Sequence, residues 1–80
     1  MSPLSTVDID LHGRNVFQAK TAIDAALKKS YGVYRIRLIH GYHSGTVLKD
    51  MITNTYSSHP KVLRMDTNNK GITELILKEL

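Results

Sequence analysis

The 80-residue chain has no cysteine and no tryptophan, and only two prolines and five glycines. Without cysteine it can form neither a disulfide framework nor a thiolate zinc site, and a reducing compartment is expected. No apolar run approaches the roughly 20 residues that span a bilayer, so no membrane partner is expected. Met1-Ser2-Pro3-Leu4-Ser5 lacks the basic and apolar regions of a secretory signal. A cytoplasmic location follows as the expectation, with residues 1–5 as a disordered tail and 6–80 as one domain. No repeat, low-complexity tract or linker interrupts it.

What is present suits a small folded domain. Hydrophobic residues make up 41% and charged residues 22% of the chain, a balance outside the disordered range. A domain of this length buries only about 60–65% of the surface its unfolded chain exposes, so its stability should be marginal. Eleven Lys and Arg against seven Asp and Glu leave a formal charge of +4. That permits a polyanionic partner without requiring one. A monomer is expected.

Val7-Asp8-Ile9-Asp10-Leu11-His12 alternates apolar and polar residues, the period of a half-buried strand. Gly13 ends it. Asn15 with Gln18 three residues later has the form of a capping box, and Val16, Ala19, Ile23, Ala26 and Leu27 recur at helical spacing up to about Ser30. Val33 to Ile39 reads as a second strand, with Tyr34, Ile36 and Leu38 on one side and Arg35 and Arg37 on the other. A second helix is expected from Thr46 to Tyr56 with Leu48, Met51, Ile52 and Thr55 inward. Val62 to Asp66, with Leu63 and Met65 against Arg64 and Asp66, and Ile72 to Leu77 would form a hairpin across Thr67-Asn68-Asn69-Lys70-Gly71. The order is βαβαββ. Its strand–helix–strand unit implies a parallel pair with a right-handed crossover. Because the strands alternate, both helices should cover one face. The predicted fold is α/β (α+β), a two-layer sandwich of a four-stranded mixed sheet and two helices. The open face would carry Asp8, Asp10, Arg35, Arg37 and Arg64.

Ligands of such sheets gather at the carboxyl ends of parallel strands. There the chain places two Xaa-His-Gly corners, His12-Gly13 and His40-Gly41. Asp10 lies two residues before His12 on the same face. It is suited either to orient an imidazole or to pair with Arg35 or Arg37. The loop Tyr42-His43-Ser44-Gly45-Thr46 adds hydroxyls and backbone N–H groups ahead of the second helix, and Arg14 and Lys49 add positive charge. Acid–base groups, an anion cradle and cations together suit a phosphodiester. No cofactor is called for; a divalent ion could use Asp10 and the histidines, but no spacing demands one.

These segments carry a family likeness. Ile9-Asp10-Leu11-His12-Gly13 resembles the LDxH signature of the Smr (small MutS-related) domain. His40-Gly41 with Ser44-Gly45-Thr46-Val47-Leu48-Lys49 resembles its HGxG signature, and Asn69 to Leu75 is similar to its Gly-rich turn and closing strand. The resemblance implies a βαβαββ sandwich, nucleic-acid binding and, in several members, endonuclease activity on DNA or RNA. Carried over by motif, Asp10 and His12 would be a first catalytic pair, with His40 and Gly41 from the second motif and the loop to Thr46 on phosphate. Two departures stand out. His43 occupies the place of the second glycine of HGxG unless Gly45 is that glycine displaced, and Lys49 replaces an arginine, keeping charge but not the bidentate fork.

Two functions follow from this reading. In the first, a nucleic-acid-binding domain cleaves phosphodiester bonds, with His12 activating the nucleophile, His40 protonating the leaving oxygen and Asp10 orienting a partner. In the second, a non-catalytic module binds nucleic acid through Arg35, Arg37 and Arg64, or binds another protein.

Overall fold

The computed structural model describes residues 5–41, 47–67 and 71–78. The elements run β1 (Ser5–Asp10), α1 (Val16–Lys28), β2 (Val33–Ile39), α2 (Val47–Tyr56), β3 (Arg64–Asp66) and β4 (Ile72–Ile76). The expected βαβαββ order is therefore present. The sheet order is β1-β2-β4-β3, with β1 parallel to β2 and both remaining pairings antiparallel. β1 begins at Ser5, inside the expected tail, where Ser5 N–H donates to Gly32 O at 3.0 Å.

The register sorts the side chains into two faces. Ile9 sits opposite Leu38 in the parallel pair. Leu38 sits opposite Thr73, and Ile36 opposite Leu75, in the antiparallel pair. These residues face the helices. Ala19, Ile23 and Leu27 of α1 and Leu48, Ile52 and Tyr56 of α2 close the core over Leu11, Ile36, Leu38 and Leu75. Both helices thus lie on one face. Asp8, Asp10, Arg35, Arg37 and Arg64 fall on the other face, as the alternation predicts.

Val7 and Ile9 pack against this core as the alternation predicts, and stay half-buried because β1 is an edge strand with a neighbour on one side. Two burial expectations need correction. On α2 the buried stripe is Leu48, Ile52 and Tyr56, whereas Thr55 is exposed. The i, i+4, i+8 spacing of those residues wins over the one that included Thr55. Before β3, Val62 takes the core position and Leu63, beside the edge strand, is exposed even though its N–H donates to Ile76 O at 2.8 Å.

Local chemistry explains why α1 starts where it does. Gln18 N–H donates to Asn15 Oδ1 at 2.7 Å and Asn15 N–H donates to Gln18 Oε1 at 3.0 Å, a complete capping box. The helices are locked together at their far ends, where Tyr56 hydroxyl donates to Asp24 Oδ1 at 2.6 Å. Since α1 and α2 both start at the carboxyl edge of β1 and β2, they run side by side in one direction.

Candidate functional site

The carboxyl edge of β1 and β2 gathers His12, Gly13, Arg14, His40 and Gly41. β1 and β2 are neighbours, and Leu11 N–H donates to Ile39 O at 2.8 Å, extending the parallel ladder past the end of β1. Continuing the Ile9–Leu38 register places Leu11 beside His40 and His12 beside Gly41. A side chain added at Gly41 would indeed lie 3.4 Å from His12 Cβ. Gly41 has φ +78°, a left-handed conformation that glycine adopts freely.

The two corners share an edge but send their imidazoles to opposite faces. His12 follows the parity of Asp8 and Asp10 and is exposed. Its Nδ1 lies 2.6 Å from Asp10 Oδ1, and its backbone N–H donates to the same oxygen at 3.1 Å. These two contacts, with Arg14 close by, hold the Asp10 carboxyl below the usual aspartate range. A carboxylate on Nδ1 keeps the proton there and leaves Nε2 as the lone-pair nitrogen. Nε2 makes no hydrogen bond among the described residues. Of the two alternatives for Asp10, the structure adopts the imidazole: Arg37 pairs instead with Asp8, Nη1 to Oδ2 at 3.3 Å.

His40 follows the parity of Ile36 and Leu38 and is buried. Its Nε2 is 2.9 Å from the hydroxyl of Thr73, which is fully buried, and its Nδ1 is 3.3 Å from Gly41 O. Both ring nitrogens are therefore occupied within the fold. The backbone amides of His40 and Gly41 both donate to Gly71 O, at 2.9 and 3.0 Å. This pins the β2 corner to the turn before β4 and leaves the Gly41 amide committed to the protein. Thr73 and the Gly71 carbonyl were not singled out in the sequence. The alternation of Tyr34, Ile36 and Leu38, carried one step further, already puts His40 on the inner face.

Arg14 lies at the edge, its Nε donating to Asp10 O at 3.3 Å, and Lys49 is exposed on the first turn of α2. Tyr42, His43, Ser44, Gly45 and Thr46 lie outside the described residues. Arg35 and Arg37 sit further back on the sheet face, each about one-third exposed and engaged with carboxylates. Arg35 Nη1 is 2.9 Å from Glu74 Oε1, and Arg37 Nε is 3.9 Å from Glu74 Oε2. The first contact is close but poorly aligned, since Arg35 Nε and Glu74 Oε1 make no hydrogen bond among the described residues. Glu74 is buried and was not anticipated. It makes this face an ion-pair mosaic instead of a basic plane.

No group of three or more His, Asp or Glu among the described residues is arranged to hold a metal ion. Among the described residues no helix is long and apolar enough to cross a membrane. Two hollows, of about 310 and 210 Å3, lie away from the histidine edge. In the larger, Lys61 Nζ donates to Leu27 O at 2.8 Å near the end of α1.

The Smr domain family matches residues 9–73, a span that begins just before Asp10 and ends at Thr73. The fold is similar to the crystal structure of the Smr domain of Thermus thermophilus MutS2, with a TM-score of 0.80 and 24% sequence identity. The likeness covers 91% of this chain and 99% of that one. No curated protein matches.

Proposed function

The chain belongs to the Smr domain family, and on that premise we propose that it binds nucleic acid and cleaves phosphodiester bonds at the Asp10–His12 pair. The observation that carries this reading is the 2.6 Å contact between Asp10 Oδ1 and His12 Nδ1, with the imidazole open to solvent.

Asp10 holds the His12 ring in one tautomer, and Nε2 takes a proton from the nucleophile. That nucleophile is water, or the 2′-hydroxyl where the strand is RNA. Attack forms the new P–O bond while the bond to the leaving oxygen breaks, and that oxygen takes a proton from solvent or from the imidazolium. Arg14 and Lys49 supply positive charge for the phosphate. His40 acts as a positioning residue: bonded to Thr73, it holds the β2 corner against β4 so that Gly41 stands beside His12.

The test is cleavage of short RNA and DNA strands by wild type, His12→Ala, Asp10→Asn and His40→Ala. General acid–base groups contribute roughly 10²–10⁴-fold, so His12→Ala should lose activity on that scale while still binding. Activity unchanged in His12→Ala would overturn the catalytic assignment. The domain would then act as a non-catalytic nucleic-acid module.

A further inference from the structure

Phe17 is the chain's one phenylalanine, and it stands in solvent, 77% exposed, on the first turn of α1. Single exposed apolar residues are ordinary and by themselves signify nothing. Three observations set this one apart.

The first is its place. Phe17 follows the Asp10–His12 pair by a few residues, through Gly13, Arg14 and the Asn15 cap. Five residue steps separate it from His12, which bounds their separation at about 18 Å. His12 faces the open side of the sheet and Phe17 stands on the helix layer, so one strand passing over this edge would meet both.

The second is its rigidity. Phe17 lies inside the capping box formed by Asn15 and Gln18, and its carbonyl accepts a hydrogen bond from Thr21 Oγ1 at 2.9 Å. Ala19, Ile23 and Leu27 define the buried stripe of α1. Two residues before Ala19, at about 100° per residue, Phe17 points away from that stripe. The ring is thus presented to solvent by a backbone that is already ordered, and covering it costs little conformational entropy.

The third is its surroundings. Val16 and Val47, also exposed, begin α1 and α2 at the same end of the helix layer. The Tyr56–Asp24 hydrogen bond fixes the two helices side by side in one direction. Arg14 and Lys49 lie at this end too. An exposed ring with apolar neighbours and nearby cations is how proteins hold unpaired bases, whereas paired bases have their faces covered by the stack.

We infer that Phe17 is a stacking platform for an unpaired nucleobase flanking the phosphate at His12, which makes single-stranded or looped nucleic acid the preferred ligand. The inference rests on the nucleic-acid reading above and adds the strand state and the residue that senses it.

The chain has no tryptophan, so Phe17→Trp introduces a single reporter exactly where the base would stack. Binding of a short single-stranded RNA or DNA, and of the duplex of the same length, is measured by anisotropy at fixed salt. Wild type, F17A, F17W and Y31A are compared; Tyr31 is an exposed ring in the loop before β2, at the opposite end of the sheet. F17A should weaken single-strand binding about five- to a hundredfold, the range for losing one base–aromatic stack, and leave duplex binding unchanged. F17W should bind single strands as tightly as wild type, with its emission quenched on addition of the strand, and Y31A should match wild type. If F17A binds single strands like wild type, or the F17W emission ignores a saturating strand, the stacking role is wrong even though binding stands. If wild type binds neither form, the nucleic-acid reading fails and this inference with it.

Discussion

At the residue scale, one hydrogen bond separates the roles of the two histidines. His12 is held by Asp10 and open to solvent, whereas His40 is buried against Thr73. Asp10→Asn keeps the size but loses the charge that fixes the ring tautomer. Its turnover should fall by at least about tenfold with single-strand affinity little changed, measured by cleavage and anisotropy on the same strand. Thr73→Val should act differently. It removes the hydroxyl that meets His40 Nε2 and leaves a buried ring nitrogen without its partner, at a cost of about 1–3 kcal/mol in denaturant unfolding. Gly41→Ala forces a left-handed alanine, costing roughly 1–2 kcal/mol, and brings a methyl against His12. The same change at Gly13 carries a similar backbone cost but meets no atom of the other described residues within 4 Å, its chain neighbours aside. Cleavage should therefore suffer more at Gly41 than at Gly13.

At the scale of elements, the two helices are ordered from opposite ends. The capping box starts α1, and Asn15→Ala should cost about 1 kcal/mol. For a domain of this size that lowers the melting temperature by roughly 4–8 °C. At the far end, the Tyr56 hydroxyl and the Lys20 ammonium both donate to Asp24 and keep its carboxyl below the usual range. This contribution is complete above the ordinary aspartate value of 3.8 and is lost as pH falls through the lowered folded value. Tyr56→Phe should thus be less stable than wild type at neutral pH, by about 1 kcal/mol after allowing for the partial exposure of Asp24. The two should converge in acid unfolding curves below that value. Element order, the capping box and β2 were legible because periodicity and caps are local signals. The short β3, the buried Tyr56 and the exposed Leu63 were not, because pairing and helix contacts far along the chain decide them.

At the scale of the whole molecule, the +4 charge is distributed unevenly. The sheet face carries arginines matched by Asp8 and Glu74, while the histidine edge carries Arg14 and Lys49 beside Asp10, already engaged by His12, and Asp50 on the first turn of α2. Affinity for a single strand should fall with rising salt, and neutralising Arg14 or Lys49 should reduce the slope of log K against log salt by up to about 1 each. An unchanged slope in both variants would move the phosphate contacts away from this edge. By itself the sequence determined the βαβαββ order, the two-layer class, the meeting of both His-Gly corners at one edge and the Smr likeness, because each follows from alternation, spacing or motif. Only the tertiary structure decided that His40 bonds Thr73, that Asp10 chooses the imidazole over an arginine, and that Glu74 enters the sheet face beside Arg35 and Arg37. Those outcomes depend on strand register and on residues brought together from distant parts of the chain. A one-residue offset in register exchanges the two faces, and that offset is set by the packed sheet.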